Sequence, residues 1–193
     1  MKRIILASGS PRRRDFLKLL GFDFEIIVPN IDESPLVGEK PQDLVLRLSS
    51  LKAKEISNTN PDAVIIAADT IVVLNGEILG KPINRKEAFN MLKKLSGKTH
   101  QVITGYTISQ GSQIHTGCEI TDVTFASLDD ELILNYIKTG ECDDKSGSYA
   151  VQGIASMFIE KVNGSVSSVV GLPICQVRQI LSKFGIFPLI TRT

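Results

Sequence analysis

The feature that most constrains the fold is a twelve-residue apolar run, AVIIAADTIVVL, at residues 63–74. Its Val and Ile side chains branch at Cβ, which favours a strand over a helix. A run that is apolar on both faces indicates a central strand in a sheet covered on both sides. The sequence therefore predicts a sheet built around this segment, with the strand either broken or extended at Asp69.

Helical and strand patterns are mixed along the rest of the chain. The other predicted strands are IILAS, FEIIV, HQVITGYTIS, GCEITDVTFA and MFIEKV, and Asn75-Gly76 predicts a hairpin-type turn into EILGKP. The predicted helices cover residues 11–20, 41–57, 85–95, 128–138 and 173–184. This pattern predicts an α/β fold with a mixed sheet, and the 193-residue length favours a single domain over residues 1–193.

Composition argues against two broad classes of protein. A net charge of +1 and the absence of Trp disfavour a protein that binds a nucleic-acid polymer, which usually needs a basic face or stacking aromatics. Cys118, Cys142 and Cys175 never form a CxxC motif, so we expect buried, reduced thiols and neither a disulfide framework nor a zinc site. His100 and His115 lack ligand spacing, and we expect structural or surface roles for both.

No segment of the sequence has the pattern of a signal peptide or a membrane span. The apolar run after Lys2 and Arg3 is shorter than the ~7–15 residues of a signal-peptide core, and no other stretch reaches the ~20 apolar residues of a spanning helix. We therefore expect a cytoplasmic protein with no membrane partner.

Three successive arginines begin the first predicted helix, directly after the turn Ser8-Gly9-Ser10-Pro11. A helix N-terminus carries partial positive charge, so Arg12, Arg13 and Arg14 are unfavourable there unless an anion is bound. Ser10 is predicted as the N-cap and Pro11 as the first helical residue. The Ser8 and Ser10 hydroxyls and the arginines would then converge on phosphate. The alternative is a basic surface turn paired with acidic neighbours.

Asp69 is the second unusual residue, because a carboxylate inside so apolar a run is expensive to bury without a compensating cation or several donors. At the end of a strand in an α/β sheet, an Asp can bind a divalent cation or orient a water. The alternative is an Asp that caps a turn with Thr70. Glu33, in an acidic loop, offers a second carboxylate, although a loop Glu is usually only solvated.

Two lysines are candidate phosphate contacts. Steps of ~100° per residue place Lys52 on the same helix surface as Val45 and Leu48, so it faces inward, whereas Lys54 does not. The alternative for Lys52 is an ammonium that extends back to water. Lys81 lies in GEILGKP, whose spacing is one residue short of a Walker motif and whose Pro82 stands where Ser or Thr would bind magnesium, so a Walker-type NTPase is excluded.

Together these residues form the set of groups suited to a nucleoside triphosphate with a divalent metal. The serines of ASGSP lack a GxSxG setting and an assignable His partner, so an acyl-enzyme mechanism is disfavoured.

The same residues carry a resemblance to a known family. The chain resembles the Maf family of nucleoside triphosphate pyrophosphatases, in order along nearly its whole length. The matching segments are ASGSPRRR at 7–14, AADTIV at 67–72, GKP at 80–82, KLSGKTHQVITG at 94–105, KSGSYAVQG at 145–153 and VVGLP at 169–173. SYAVQG is similar to the dTTP/UTP branch of the family, whereas the 7-methyl-GTP branch typically ends this segment in Glu-Gly. SGSY departs slightly from the more usual AGAY.

The resemblance implies hydrolysis of a nucleoside triphosphate between its α- and β-phosphates, with Mg²⁺ or Mn²⁺ as the metal. It implies Asp69 as proton acceptor, Glu33 as a residue of the pocket, and Arg12, Thr70 and Gln152 as specificity residues. We expect Asp69 and Glu33 to hold the metal. The resemblance further places Ser8, Arg13, Lys52 and Lys81 in the same pocket. The implied fold is an elongated mixed sheet with flanking helices and two lobes with a cleft between them, of the Maf/ITPase-like type.

The base edge of UTP or dTTP offers N3–H as donor and O4 as acceptor, which one Gln amide can match, so Gln152 suits this role. Arg12 remains open between a phosphate and a base contact. The alternative function is a nucleotide-binding regulator of cell division, linked to septum formation, that works without essential turnover. A homodimer is expected by analogy with the family.

Overall fold

A computed structural model describes residues 2–189 of the chain. Its centre is a seven-stranded mixed sheet flanked by helices. The strands are β1 (Ile4–Ala7), β2 (Glu25–Ile26), β3 (Val64–Leu74), β4 (Glu77–Leu79), β5 (Thr99–Gln110), β6 (Gln113–Phe125) and β7 (Ile159–Asn163). The helices are α1 (Pro11–Leu19), α2 (Pro41–Thr59), α3 (Arg85–Leu95), α4 (Asp130–Lys138), α5 (Val166–Val170) and α6 (Ile174–Lys183).

The strand order is β2-β1-β3-β5-β6-β7, with β4 paired to β3. Strand β1 pairs in parallel with both β2 and β3, and the register Ala7↔Ala67 places the last residue of β1 beside the middle of β3. Strands β3 and β4 pair antiparallel around Asn75 and Gly76, both of which have positive φ, as an Asn-Gly hairpin turn requires. The apolar run thus forms one strand that continues through Asp69.

The chain divides into two compact units. Among the described residues, unit 1 contains 2–69, 104–119 and 171–189. One of its buried clusters includes Leu6, Leu17, Ile66 and Ile108. Helix α2 also packs close to β5 within this unit, since a Cβ on Gly105 would lie 2.3 Å from the Val45 carbonyl oxygen. This close approach requires glycine and sets the distance between α2 and β5.

Unit 2 contains residues 70–103 and 120–170. Its core joins the inner faces of α3 and α4 to strand residues and aromatic rings, including Leu92, Phe125, Tyr136 and Phe158. The rings pack edge to face, with centroids 5.0 Å apart for Tyr136 and Phe158. Each unit therefore has its own apolar core. The single domain predicted over residues 1–193 stays a prediction.

Most of the predicted elements are confirmed, and helix 85–95 is confirmed to the residue. The segment FEIIV gives only the two-residue strand β2, and in MFIEKV a short 3₁₀ helix at Ile154–Phe158 occupies the first residues. Leu51, an apolar residue of α2, is 38% exposed. The prediction of three buried thiols is wrong, because Cys142 alone is buried while Cys175 is exposed, although all three are free.

Within residues 2–189, none of the helices has the length and apolar character needed to cross a membrane.

Candidate active site

The best-defined candidate group lies in unit 1 and joins Asp69 to Lys52 and Glu33. Lys52 projects from the inner face of α2 and donates to Asp69 Oδ1 at 2.7 Å, and both residues are only 7% exposed. The same Lys52 Nζ lies 2.9 Å from Glu33 Oε1, whose side chain is 57% exposed. The inward position of Lys52 that helical periodicity predicts is confirmed. Asp69 is therefore buried against a cation inside strand β3, and it does not cap a turn.

Arg13 contacts protein groups close to Asp69. Its guanidinium donates to Ser8 Oγ at 3.0 Å, to the Ala68 carbonyl at 2.8 Å and to the Gly171 carbonyl at 2.7 Å. Burial lowers the pKa of Arg13, while the nearby Asp69 charge opposes that shift. The contacts with Ser8 and with the residue preceding Asp69 place this guanidinium next to the buried carboxylate.

The start of α1 keeps the unusual charge pattern seen in the sequence. Ser10 occupies the N-cap position and Pro11 begins the helix, but the Ser10 side chain makes no capping bond and the first turn contains no acidic residue. Arg14 pairs with its neighbour Asp15 at 3.0 Å. Among residues 2–189, the buried Nε of Arg12 has no hydrogen-bond partner. An unpaired buried donor beside an uncompensated helix start favours an anionic ligand.

The remaining candidates, Thr70, Lys81 and Gln152, belong to unit 2. Lys81 and Gln152 are exposed, and Thr70 is half-buried. The Ser146 hydroxyl donates to the Thr70 carbonyl at 3.4 Å, and the Gly147 amide donates to the Gly80 carbonyl at 3.0 Å. The loop that leads to Gln152 is thus tied to the backbone next to both other candidates.

The Gln152 loop has an unusual backbone. Ser148 has φ +64°, a left-handed conformation that a non-glycine residue rarely adopts, and its hydroxyl contacts Met91 Sδ at 3.2 Å. The adjacent Tyr149 hydroxyl lies 2.7 Å from His100 Nε2 in the buried core. Strained residues that surrounding contacts hold in place are typical of functional loops. Sequence reasoning missed His100 as a partner of this loop, because the two residues are far apart in the chain.

Among residues 2–189, a cavity lies in each of the two units. In unit 2, a cavity of about 630 Å³ is lined by Lys81 together with Glu77, Asn90 and Lys94. In unit 1, a cavity of about 430 Å³ lies among Phe22, Phe24 and Ile186 and contains none of the predicted site residues. The unit 2 cavity therefore contains the predicted site residue Lys81.

The donor set for a metal is small. Among residues 2–189 there is no group of three or more His, Cys, Asp or Glu side chains placed to hold a metal ion. Asp69 and Glu33 nevertheless converge on one Lys52 nitrogen, so their carboxylate oxygens lie close together. Mg²⁺ is commonly held by one or two carboxylates with substrate phosphates and waters, and the two side chains fit that pattern.

The family model and the relatives match nearly the whole chain. The family model described as "Maf-like protein" matches residues 3–184. A protein of Bacillus pumilus named dTTP/UTP pyrophosphatase is 46% identical over 188 residues, covering 97% of this chain and all of that protein. A protein of the same name from Escherichia coli O157:H7 is 45% identical over 186 residues, covering 96% of this chain and 94% of that protein.

Solved structures support the fold. A HAM1 protein from Coxiella burnetii is 13% identical with a TM-score of 0.53, covering 95% of this chain and all of that one. The Staphylococcus aureus Ham1 protein has the same identity and TM-score, with 96% of this chain covered. These likenesses extend to the fold alone. The family match and the relatives span nearly the full length of the sequence, and the chain belongs to the Maf-like protein family.

Proposed function

We propose that this protein is a nucleoside triphosphate pyrophosphatase that hydrolyses dTTP and UTP to the monophosphate and pyrophosphate. The observation that carries the chemistry is the buried ion pair between Lys52 and Asp69 at 2.7 Å. A buried charge pair contributes little net stability compared with apolar packing, so its presence within an otherwise apolar strand supports a catalytic role. The substrate class comes from relatives that carry this name at 44–46% identity.

In the proposed reaction, Asp69 accepts a proton from a water whose oxygen attacks the α-phosphorus. The bond between the α-phosphorus and the bridging oxygen of the β-phosphate breaks, and pyrophosphate leaves with the bond's electron pair. Lys52 orients the Asp69 carboxylate by donating to Oδ1. Lys81 and Arg13 stabilise negative charge on the triphosphate, and proton transfer together with charge stabilisation would supply most of the acceleration.

A divalent cation, Mg²⁺ or Mn²⁺, is part of the proposal. Asp69 and Glu33 would hold it through carboxylate oxygens other than Asp69 Oδ1 and Glu33 Oε1, because those two oxygens face Lys52 Nζ. When bound, the cation would neutralise charge on the phosphates.

Base selection is assigned to Arg12, Thr70 and Gln152, with the hydroxyls of Ser8 and Ser10 on the phosphate side. The Gln152 amide can accept from N3–H of uracil or thymine while donating to O4. Because an amide can rotate to match cytosine, a fixed donor is also needed, and the unpaired Arg12 Nε is one.

The test is release of pyrophosphate and of orthophosphate, measured separately, from a panel of ordinary and modified nucleoside triphosphates with Mg²⁺ or Mn²⁺. We expect pyrophosphate from UTP, dTTP and related pyrimidines, and no orthophosphate. Orthophosphate as the first product would contradict cleavage between the α- and β-phosphates. UTP binding without any release would favour the nucleotide-binding regulator of cell division.

A cytoplasmic location, a homodimer and the absence of nucleic-acid partners remain part of this proposal. The dimer rests on analogy with the family. Light scattering of the protein after size-exclusion chromatography would test the dimer.

A further inference from the structure

The loop that carries Glu33, residues 30–39, lies along helix α2 and is held there by three side chains of that helix. We call residues 30–39 the Glu33 segment. Glu55 accepts from the Asn30 amide at 2.7 Å, and Lys52 pairs with Glu33 at 2.9 Å. Arg47 donates to the Ser34 carbonyl at 3.0 Å. The contacts follow each other in opposite order on loop and helix, so the segment runs antiparallel to α2.

Arg47 makes a second, stronger connection, to Glu39 at the end of the segment. Its Nε lies 2.6 Å from Glu39 Oε1 and its Nη2 lies 2.7 Å from Oε2, which is a two-point contact. Glu39 Oε2 also accepts from the Leu36 amide at 3.0 Å. These bonds lower the pKa of Glu39 to about 2, so the carboxylate stays ionised. One guanidinium therefore fixes the segment at both Ser34 and Glu39.

The other contacts are too weak to hold the Glu33 segment alone. The Glu33 side chain is 57% exposed, so solvent weakens its ion pair with Lys52, and the bond between the Asn30 amide and Glu55 lies on exposed surface. Apolar anchoring is also weak, because Leu36 is 60% exposed and Val37 is fully exposed. By contrast, the Glu39 side chain is only 8% exposed where it meets Arg47. The two-point contact is thus the main restraint on the position of Glu33.

We propose that Arg47 is a positioning residue for the reaction: it holds the Glu33 segment against α2 and so keeps the Glu33 carboxylate beside Lys52 and Asp69. This inference rests on the proposed pyrophosphatase function. Arg47 itself contacts neither Lys52 nor Asp69 through the hydrogen bonds described, and it acts through the loop backbone and Glu39.

The first test is Arg47→Lys, which keeps the charge but cannot make the planar two-point contact. The chain offers a matched control in Arg3, whose guanidinium contacts Glu25 at two points, both 2.7 Å, on exposed surface. We expect Arg47→Lys to lower kcat/KM for UTP by ~10- to 100-fold, as a misplaced reacting group does. Arg3→Lys should change it less than about twofold. Equal rates for Arg47→Lys and the unmodified protein would overturn the inference.

Two further measurements distinguish a positioning role of Arg47 from general damage to the structure. In a Glu33→Gln background, Arg47→Lys should lower kcat/KM by less than about twofold, because the group it positions is already gone. A further fall in kcat/KM of ~10- to 100-fold in the Glu33→Gln background would contradict the inference. Hydrogen exchange should be faster at the Ser34 and Leu36 amides in Arg47→Lys, whereas Arg3→Lys should leave both protected. Unchanged exchange would also overturn the inference, even if Glu33→Gln has no measurable turnover.

These readouts also distinguish the two proposals. If the unmodified protein releases no pyrophosphate, the proposed function fails and no role in catalysis remains for Arg47. If that protein turns over UTP and Arg47→Lys does so equally well, only the positioning inference fails.

Discussion

The two units bury different kinds of polar group. Among residues 2–189, the charged residues buried as a whole are Lys52 and Asp69, and the Glu39 side chain is buried against Arg47; all of these residues belong to unit 1. The buried polar side chains of unit 2 include His100, Thr121 and Ser148, and burial keeps His100 neutral by lowering its pKa to about 4. The charged candidate of unit 2, Lys81, is exposed.

This difference indicates a division of labour. Burying a charge costs several kcal/mol per ion unless it is paired, so the Lys52–Asp69 pair suits reaction chemistry better than it suits stability. Neutral hydrogen bonds such as that between His100 and Tyr149 fix the shape of a loop without adding charge. We therefore assign the proton transfer to unit 1, and we assign Thr70 and Gln152 of unit 2 to the recognition of the base. The predictions below test that assignment.

The largest effect is expected for Asp69→Asn, which removes the proton acceptor. Turnover of UTP should fall by ~10²- to 10⁴-fold, the range typical of a general base. The fold should persist, because Glu33 still pairs with Lys52. The measurements are pyrophosphate release and thermal melting, with Asp62→Asn, at an exposed Asp before the same strand, as control. An active Asp69→Asn protein would remove the basis for assigning the chemistry to unit 1.

The next effect concerns stability and pH in unit 2. The pKa of His100 falls from 6.5 to about 4 because the ring is buried, so the unfolded chain binds one more proton between these values. The part of the free energy of unfolding that depends on neutral His100 is fully present above pH 6.5. It is lost as the pH falls towards 4, by about 3 kcal/mol in total. Urea unfolding between pH 4 and 7 should show this loss of stability in the unmodified protein and not in His100→Gln.

His115→Gln, in unit 1, serves as the control for that measurement. Identical pH dependence in the unmodified protein and His100→Gln would mean that unit 2 does not keep its histidine neutral. The contrast between the two units would then disappear.

A smaller effect is expected for Gln152→Glu, because a carboxylate has no NH₂ to donate to O4 of the base. The preference for UTP and dTTP over other nucleotides should fall about tenfold, as the loss of one hydrogen bond worth ~1.4 kcal/mol implies. Relative kcat/KM values across the nucleotide panel measure it, with Gln113→Glu, at an exposed residue of β6, as control. Unchanged relative rates would argue against base recognition by Gln152.

The smallest effect is expected at the exposed ion pair between Arg85 and Asp143, 3.1 Å apart with side chains 51% and 53% exposed. A double-mutant cycle with alanine, followed by urea unfolding, should give a coupling below about 1 kcal/mol. A coupling above about 2 kcal/mol would show that unit 2 also depends on paired charges.

Much of the local structure could be predicted from the sequence, because it depends on neighbouring residues. β-branched residues predicted strand β3, Asn75-Gly76 predicted its turn, and Pro11 marked the start of α1. Contacts between distant residues could not be predicted in this way. Arg47 and Glu39 escaped notice because nothing in their sequence context distinguishes a two-point contact from two solvated charges.

By itself, then, the sequence determined the α/β class, the inward face that carries Lys52 and the unusual position of Asp69, since helical periodicity and β-branching act over a few residues. Only the tertiary structure decided which cation meets Asp69, and that Lys52 also reaches Glu33. The exposure of Cys175 and Leu51 was decided there as well. The physical reason is that burial and ion pairing depend on which elements pack together, and a lysine seventeen residues away becomes a partner only when helix and strand meet.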